Sequence, residues 1–331
     1  LEPGSRREAS AADATELTAF HDAGYVEALR RSDATGQVER DVRERYGFGT
    51  AENPLFEGVF ERAATAVGGS ILAAELALDG RVVFHPAGGT HHGRPSRASG
   101  FCYFNDPVFA ILRLEEAGLE RVLYVDLDAH HGDGVQDAFA EDSRVRFVSI
   151  HEAGRWPHTG AATDRGRGYA CNLPVPAGFN DSELELLMTA VVLPLARRFD
   201  PQAVVITCGT DALAGDPLSR MALSNVALWR AVERLAALAG PVVVLGGGGY
   251  NPWTLARCWT GLWGVLSGRE IPVVLPPEAQ LVLRGLECDL VDEDDLRADW
   301  LTTLSDAPRP GPVREVVGDL ARQGRALHGL A

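Results

Sequence analysis

The chain has 331 residues, a formal net charge of −15 and 46% hydrophobic residues. This length suits one large α/β domain or two ordinary ones, and the hydrophobic share allows a sizeable core. The acidic balance argues against nucleic acid as a direct partner, because phosphate contacts need clustered basic side chains. No apolar run reaches the length of a membrane helix, so we expect no membrane partner either.

The hydrophobic periodicity predicts helices that alternate with short apolar strands. Helices are predicted over residues 13–32 and 55–78, and near 105–117, 133–141, 182–199, 222–239 and 252–266. Strands are predicted over residues 81–85, 122–126, 145–150, 203–207 and 242–245. This alternation implies parallel βαβ units with helices on both faces of the sheet. We therefore predict one α/β domain over residues 1–331, with a central, mostly parallel sheet and residues 273–331 as a helical C-terminal extension packed on it.

The five cysteines are scattered along the chain and form no Cys-x-x-Cys pair. Neither a zinc ribbon nor a disulfide framework is therefore indicated, and a reducing compartment fits. No secretory signal pattern opens the sequence. We expect a cytoplasmic location.

The segment 122–134 combines a short apolar strand with a cluster of carboxylates and imidazoles. Side chains on an extended segment alternate between faces, so Asp126, Asp128 and His130 project to one side. Such groups are costly to bury at the end of a central strand unless something binds them. A divalent metal is the simplest solution, and mixed oxygen and nitrogen ligands suit zinc or a neighbouring first-row metal. A surface loop rich in Asp and Gly is the alternative.

Polar residues also follow the other predicted strands, and in a doubly wound sheet such carboxyl ends converge on one crevice. These residues are His91 and His92, His151, Asp211, and the run Gly246–Gly249 with Tyr250. Asp211 is a natural third ligand beside Asp128 and His130, which leaves an open position for water. Its alternative role is the N-cap of the next helix.

The consecutive His91 and His92 favour proton transfer over joint binding of one ion. Each would need an orienting carboxylate, and Asp126 and Asp133 are available for this role. Tyr250 follows the glycine run and could hydrogen-bond a developing oxyanion, with plain packing as the alternative. The glycine run could also cradle a phosphate, but no Lys-Ser/Thr follows it as in a P-loop.

Together, five motifs resemble the zinc-dependent histone deacetylase family, which includes bacterial acetoin-utilisation deacetylases and acetylpolyamine amidohydrolases. The motifs are residues 88–93, 98–106, 126–134, 208–211 and 246–250. They occur in the family's order, and residues 46–54 are most similar to the acetoin-utilisation branch. The resemblance implies the arginase/deacetylase fold. It also implies an amidohydrolase that removes acetyl groups from the ε-amine of lysine in proteins, or from similar acyl-amines.

The same resemblance implies a zinc site with a potassium site next to it. Asp128, His130 and Asp211 would hold one zinc ion per chain, and ferrous iron could take its place. A structural potassium ion would lie beside the zinc. Its ligands would be Asp126, Ser149 and the carbonyls of Asp128, His130 and Ile150.

The implied mechanism gives each remaining polar residue a role. Zinc and the histidine pair would activate a water that attacks the acetamide carbonyl. His92, paired with Asp133, would be the general base and then the acid to the leaving amine. His91, paired with Asp126, would be its electrostatic partner. Tyr250 would donate a hydrogen bond to the carbonyl oxygen.

The resemblance also implies a narrow tunnel for the aliphatic stem of an acyl-lysine. The residues around it would be Gly100, Phe101, Trp156, Leu218 and Glu52. Leu218 at the rim favours a peptide or small acyl-amine over an acetylpolyamine, for which an acidic rim residue is typical. Glu52 stands where the family usually has an Asp that grips the substrate backbone, and His158 stands where Gly is common.

Three further expectations remain. The family normally begins with another strand and a His-Pro loop, which the sequence does not show, so we expect its natural N-terminal segment to be missing. A binuclear-manganese ureohydrolase is an alternative, but the order Asp126-x-Asp-x-His130 favours a single transition metal. A second alternative is a module that binds acetyl-lysine without hydrolysing it. Such a module is expected to lack a metal ligand or Tyr250, and this sequence has them all. The sequence gives no indication of the oligomeric state.

Overall fold

The computed structural model describes residues 5–330 and is centred on one parallel β-sheet. Its strands are β1 Val82–His85, β2 Val122–Asp126, β3 Val145–Glu152, β4 Ala170–Val175, β5 Ala203–Thr207 and β6 Val242–Leu245. All five pairings are parallel, and the spatial order is β1-β6-β5-β2-β3-β4. The predicted fold class, a single α/β domain built on a parallel sheet, is confirmed.

Twelve α-helices surround this sheet within the described part of the chain. They are α1 Ala14–Leu17, α2 Ala23–Thr35, α3 Arg40–Tyr46, α4 Val59–Ala77, α5 Asp106–Glu116, α6 Asp133–Ala138, α7 Asp181–Leu187, α8 Leu193–Phe199, α9 Asn225–Ala236, α10 Pro252–Leu266, α11 Pro277–Arg284 and α12 Glu315–Leu327. A π-helical turn, Met188–Val192, joins α7 to α8, and short 3₁₀ turns span Thr210–Ala212, Glu293–Asp295 and Ala298–Leu301. None of the helices in residues 5–330 has the length and apolarity that crossing a bilayer requires.

The central strands are apolar on both faces because helices cover both sides of the sheet. Every residue of β2 is buried. Leu123 and Val125 belong to one hydrophobic cluster, whereas Val122 and Tyr124 belong to another on the opposite face. The sheet therefore lies between two cores, and polar side chains can reach a cavity only at the strand ends.

Helix α3 was not predicted, and the structure differs from the predicted elements in two further places. The helix predicted over 13–32 is divided into α1 and α2, because the imidazole of His21 turns into the core and bonds the carbonyl of Arg94 at 3.0 Å. Strand β4 was not predicted, since Ala170–Val175 contains Asn172 and Pro174 instead of a β-branched run. Proline is tolerated there because β4 is an edge strand that pairs with β3 alone.

The residues that follow α10 pack against the body of the domain. Arg257 of α10 is fully buried and donates to the carboxylate of Asp306 at 2.8 Å and to the carbonyl of Thr303 at 2.6 Å. Helix α12 contacts β4 and α7. In that segment Leu283 and Trp300 are buried, whereas the carboxylate-rich stretch before α12 is mostly exposed.

Candidate active site

The loop that carries His91 and His92 follows β1 and is held by a buried carboxylate. Asp106, the first residue of α5, accepts hydrogen bonds from the backbone N–H of Gly89 at 3.0 Å and of Thr90 at 2.7 Å. These bonds satisfy the desolvated carboxylate. The position of the histidine pair is therefore fixed by residues far away in the sequence.

Each histidine of the pair has its own carboxylate partner. Nδ1 of His91 lies 2.7 Å from Oδ2 of Asp126, and Nδ1 of His92 lies 2.7 Å from Oδ1 of Asp133. All four side chains are almost completely buried, and the two imidazole centroids are 4.0 Å apart. A carboxylate on Nδ1 fixes the tautomer and leaves Nε2 of each ring available to the cavity.

The surroundings separate the pKa values of the two imidazoles. Burial alone would lower the pKa of His91, but the charges of Asp126 and Asp128 outweigh it and raise the value to about 9. Burial and the neighbouring charge of His91 lower the pKa of His92 to about 3. At neutral pH His91 is therefore cationic, whereas His92 is neutral and can accept a proton.

Asp128, His130 and Asp211 form a compact group beside the histidine pair. Each offers one ligand atom, and these atoms all lie within 4.8 Å of one another. Nδ1 of His130 is 2.9 Å from Oδ2 of Asp211 and 3.2 Å from Oδ1 of Asp128. Within residues 5–330 this is the one group of three such side chains with that spacing.

The chemistry of this group fits a divalent metal. Burial and the nearby charge of Asp128 raise the pKa of Asp211 to about 7. Burial alone would lower the pKa of His130, but hydrogen bonds to both carboxylates raise it to about 11. In the described part of the chain, imidazoles and no arginine pair with the two buried carboxylates, so a divalent cation in place of the proton on Nδ1 of His130 would satisfy all three groups. One imidazole and two carboxylates are a donor set that suits zinc.

The glycine run 246–249 approaches these carboxylates closely. The backbone N–H of Gly248 donates to Oδ2 of Asp128 at 2.6 Å, and that of Ala129 donates to Oδ1 of Asp211 at 2.9 Å. A Cβ atom at Gly248 would lie 2.2 Å from Oδ2 of Asp211. The glycines therefore allow backbone N–H groups to orient the carboxylates of the candidate metal group, which is a second reason to reject a phosphate cradle.

Tyr250 directly follows this glycine run and lines the cavity. Its backbone N–H donates to Oδ2 of Asp216 at 2.7 Å, while Oδ1 of Asp216 accepts the N–H of Leu218 at 2.9 Å. Burial, together with the charges of Asp211 and Asp128, raises the pKa of the phenol above its ordinary value, so it stays protonated. No group among residues 5–330 hydrogen-bonds the hydroxyl, which leaves it available as a donor.

Two adjoining cavities of about 900 and 790 Å³ meet at this group of side chains. Both are lined by His92, His130, Tyr250, Gly100 and Phe101. The Trp156 ring lies 4.6 Å from the His92 ring, centroid to centroid. Gly100 has φ +55°, and a Cβ there would lie 2.3 Å from the Trp156 ring. The aromatic rings of Phe101 and Trp156 therefore narrow the passage between the two cavities. A side chain at position 100 would block it, and Gly100 keeps it open.

The 790 Å³ cavity opens at a rim that includes Glu52, His158, Leu218 and Arg220. Oε1 of Glu52 accepts the backbone N–H of Gly100 at 2.6 Å, so this carboxylate holds the tunnel loop. His158 has φ +63° and donates through Nδ1 to the carbonyl of Gly154 at 3.0 Å.

Three of the residues predicted to bind potassium, Asp126, Ser149 and Ile150, lie on the neighbouring strands β2 and β3. Asp126 of β2 stands directly opposite Ser149 of β3 in the sheet register, and Ile150 follows it. The hydroxyl of Ser149 is 2.9 Å from Nδ1 of His151. His151 also bonds the carbonyl of Gly160 at 3.0 Å, which places it outside the metal group. The potassium site stays a prediction.

Two contributors were not predicted from the sequence. Arg94 donates to the carboxylates of Asp133 and Asp137, and so braces the partner of His92. Asp216 holds the backbone of Tyr250, as described above. The only feature of the sequence that could have indicated the role of Arg94 is its position two residues after His92. Asp216 gave none, because its role depends on the approach of the glycine run.

Comparison with known proteins gives consistent results. The family model described as "Histone deacetylase domain" matches residues 2–266. The chain is 39% identical over 269 residues to histone deacetylase 8 of Danio rerio, which covers 79% of this chain and 71% of that protein. It is also 39% identical over 275 residues to histone deacetylase 1 of Homo sapiens, covering 80% of this chain and 56% of that protein.

Solved structures show the same relationship. The crystal structure of an HDAC homolog from Aquifex aeolicus superposes with a TM-score of 0.92 at 38% identity, covering 96% of this chain and 88% of that one. An HDAC homolog complexed with SAHA superposes with a TM-score of 0.90 at 38% identity, with the same coverage. The resemblance to the acetoin-utilisation branch stays a prediction. The chain belongs to the histone deacetylase family.

Proposed function

We propose that this protein is a metal-dependent deacetylase that hydrolyses the acetamide of ε-acetyl-lysine, or of a similar acyl-amine. The observation that carries the proposal is the arrangement at the end of the narrow passage. A neutral His92, Asp128, His130 and the hydroxyl of Tyr250, which no described residue hydrogen-bonds, all face one cavity. Asp211 is buried next to Asp128 and His130 and completes the candidate metal group. Family membership supports the same reaction class.

The chain's own residues supply the base, the acid and the donor for this reaction. A zinc ion bound by Asp128, His130 and Asp211 would act as a Lewis acid and lower the pKa of a bound water. Nε2 of His92 would accept the proton that the attacking water loses and return it to the leaving amine. Tyr250 would donate its hydroxyl hydrogen to the carbonyl oxygen as negative charge develops there.

His91 would act through its charge. Its imidazolium is 4.0 Å from the His92 ring, centroid to centroid, and its Nε2 is 3.8 Å from Oδ1 of Asp128. A buried cation at this place would stabilise negative charge that develops on the attacked carbonyl group. Asp126 would keep His91 protonated, and Asp133 would keep the tautomer of His92 that exposes Nε2 to the water.

The shape of the passage supports a substrate with a long, uncharged stem. Phe101 and Trp156 would pack against the methylene groups of an acyl-lysine, and Gly100 would leave room for the stem between them. Leu218 at the rim offers no charge to a polyamine. Glu52 is exposed and would be able to exchange its contact with Gly100 for an amide of the substrate backbone.

The potassium site and the choice of metal belong to the same proposal. Asp126 and Ser149 would contribute to a structural potassium ion beside the zinc, and ferrous iron would be able to replace zinc in the same donor set. A ureohydrolase would need ligands for a second transition metal. The described residues hold one group of three suitable side chains, which supports a single such ion.

The test is turnover of a fluorogenic acetyl-lysine peptide, measured with and without a hydroxamate after metal analysis. We expect hydroxamate-sensitive turnover with about one zinc per chain. An acetylated polyamine serves as the competing substrate. The 331-residue sequence contains no lysine, so any acetyl-lysine detected in a reaction comes from the substrate. Zinc-loaded protein that hydrolyses neither substrate would refute the proposal.

A further inference from the structure

A second polar pocket lies on β3 away from the catalytic cavity. It has a volume of about 440 Å³ and contains three arginines, Arg146, Arg165 and Arg198. Arg146 is the second residue of β3, whereas Glu152, the last residue of that strand, lines the catalytic passage. At about 3.3 Å per strand residue, the two residues are about 20 Å apart along β3.

The three arginines come from separate parts of the fold and have no carboxylate partner. Arg165 precedes β4, and Arg198 is in the last turn of α8. Nη1 of Arg198 donates to the carbonyls of His328 at 3.0 Å and Gly329 at 2.5 Å, and Nη1 of Arg146 donates to a backbone carbonyl at 2.5 Å. Within residues 5–330, none of the three forms an ion pair with Asp or Glu. This is unusual in a chain with a net charge of −15.

Two of the guanidinium groups carry buried donors without acceptors. The Nε atoms of Arg146 and Arg165 are buried and have no hydrogen-bond partner among the described residues. The guanidinium of Arg146 is further enclosed by the rings of Tyr169 and Phe199, whose centroids are 5.7 and 5.6 Å from its Cζ. Buried N–H donors are rarely left unpaired, since each costs the free energy of its lost hydration.

The electrostatics of the pocket also favour a negative ligand. Burial, together with the positive charges of Arg165 and Arg198, lowers the pKa of Arg146. Burial and the charges of Arg165 and Arg146 lower the pKa of His328, which lines the same pocket, to about 4. The positive charges of the three arginines therefore repel one another, and an anion between them would offset that repulsion.

We propose that this pocket is a binding site for a phosphate-type oxyanion, held by Arg146, Arg165 and Arg198. Planar guanidinium groups present paired N–H donors that match the oxygens of such an anion. The pocket also has apolar walls from Leu195, Phe199 and Leu327, which leave space for a small organic group esterified to the phosphate. Because the end of α12 closes the pocket, the bound anion would join α12 to α8 and β3.

The test is isothermal titration of the metal-loaded full chain with inorganic phosphate, in chloride buffer of matched ionic strength. Glycerol phosphate is titrated in parallel. Saturable binding of phosphate is expected, and the melting temperature should rise with phosphate but not with added chloride. Tighter binding of glycerol phosphate would identify a phosphomonoester as the natural ligand, whereas equal or weaker binding would identify the free ion.

Arg165→Gln is the informative variant, because the Arg165 side chain makes no hydrogen bond to the described residues and its loss leaves no partner unsatisfied. We expect its melting temperature without phosphate to be unchanged or higher. Its dissociation constant for phosphate should rise about tenfold. Arg197→Gln is the control for loss of a positive charge, because Arg197 is next to Arg198 on α8 but outside the pocket, and it should bind as the original chain does. Absence of saturable binding, or unchanged binding by Arg165→Gln, would overturn the proposal.

Discussion

His92 and Asp133 are joined by a 2.7 Å contact between Nδ1 and Oδ1, and both side chains are buried beside the candidate metal ligands. The carboxylate can accept only from an Nδ1–H, so it selects the tautomer in which Nε2 is free to take a proton. Arg94 holds the other oxygen of Asp133 at 2.5 Å. Asp133 and Arg94 together therefore orient the imidazole of His92.

Asp133→Asn should lower kcat while the protein stays folded. The amide can present its NH₂ group to Nδ1, which favours the tautomer with the proton on Nε2 and removes the base. We expect kcat to fall by about 10²–10⁴-fold, the range typical of general acid–base catalysis. The measurement is steady-state turnover of an acetyl-lysine peptide. Asp137→Asn is the control, because Asp137 also binds Arg94 but is largely exposed, and its kcat should change little.

Tyr250→Phe should lower kcat by about 10²–10³-fold, the usual loss for one oxyanion donor. The melting temperature should hold, since the hydroxyl has no hydrogen bond to the described residues and its removal leaves no group unpaired. Single-turnover kinetics would separate this loss from an effect on binding. Tyr169→Phe, which removes a hydroxyl outside both catalytic cavities, is the control. Full activity of Tyr250→Phe would remove the phenol from the mechanism.

Gly100→Ala should close the passage. Its φ of +55° is unfavourable for a side chain, and the new Cβ would lie 2.3 Å from the Trp156 ring and 2.6 Å from the His92 ring. Gly154→Ala separates the two effects, because Gly154 has φ +71° but no atom within 4 Å of its Cβ position. We expect kcat/KM to collapse for Gly100→Ala alone. Similar losses in both variants would mean that backbone strain, not obstruction, is responsible.

Asp306→Ala should destabilise the fold by about 3–5 kcal/mol, because it leaves the fully buried guanidinium of Arg257 without its charge partner. The free energy of unfolding in urea is the measurement. Glu44→Ala removes the partner of Arg40 in an exposed pair and should cost less than about 1 kcal/mol. A small effect at Asp306 would mean that water replaces the carboxylate.

His21 should contribute to acid sensitivity. Burial lowers the pKa of His21 to about 4, against 6.5 for an ordinary imidazole. The unfolded chain therefore binds a proton that the folded chain excludes. The resulting stability is present above pH 6.5 and decreases as the pH falls to about 4, by up to about 3 kcal/mol.

His21→Gln tests this pH dependence. Gln retains a donor for the carbonyl of Arg94 and an acceptor for the N–H of Asn105, but it does not titrate. The free energy of unfolding should therefore depend less steeply on pH between 6.5 and 4 in the variant. Urea titrations at several pH values give this slope, and parallel curves for the two proteins would contradict the assignment.

The proximity of the candidate metal ligands was easier to predict from the sequence than the boundaries of the secondary-structure elements. Asp128, His130 and Asp211 could be grouped because each follows an apolar strand, and parallel strands end at one edge of their sheet. Strand β4 could not be predicted, because an edge strand next to β3 needs neither β-branched residues nor a complete set of N–H donors. The contact between Glu52 and Gly100 depends on two loops 48 residues apart, which no local pattern reveals.

The glycine run limits where this enzyme can acquire new specificity during evolution. A Cβ atom at any position from 246 to 249 would lie between 2.0 and 2.8 Å from a neighbouring atom, so every substitution there would disturb the candidate metal ligands or the loops next to them. The rim residues Leu218 and Arg220 line the entrance of the 790 Å³ cavity, where Leu218 is partly exposed and Arg220 is exposed. Descendants of this chain would therefore change the molecules they accept at the tunnel entrance, while the reaction chemistry is inherited unchanged.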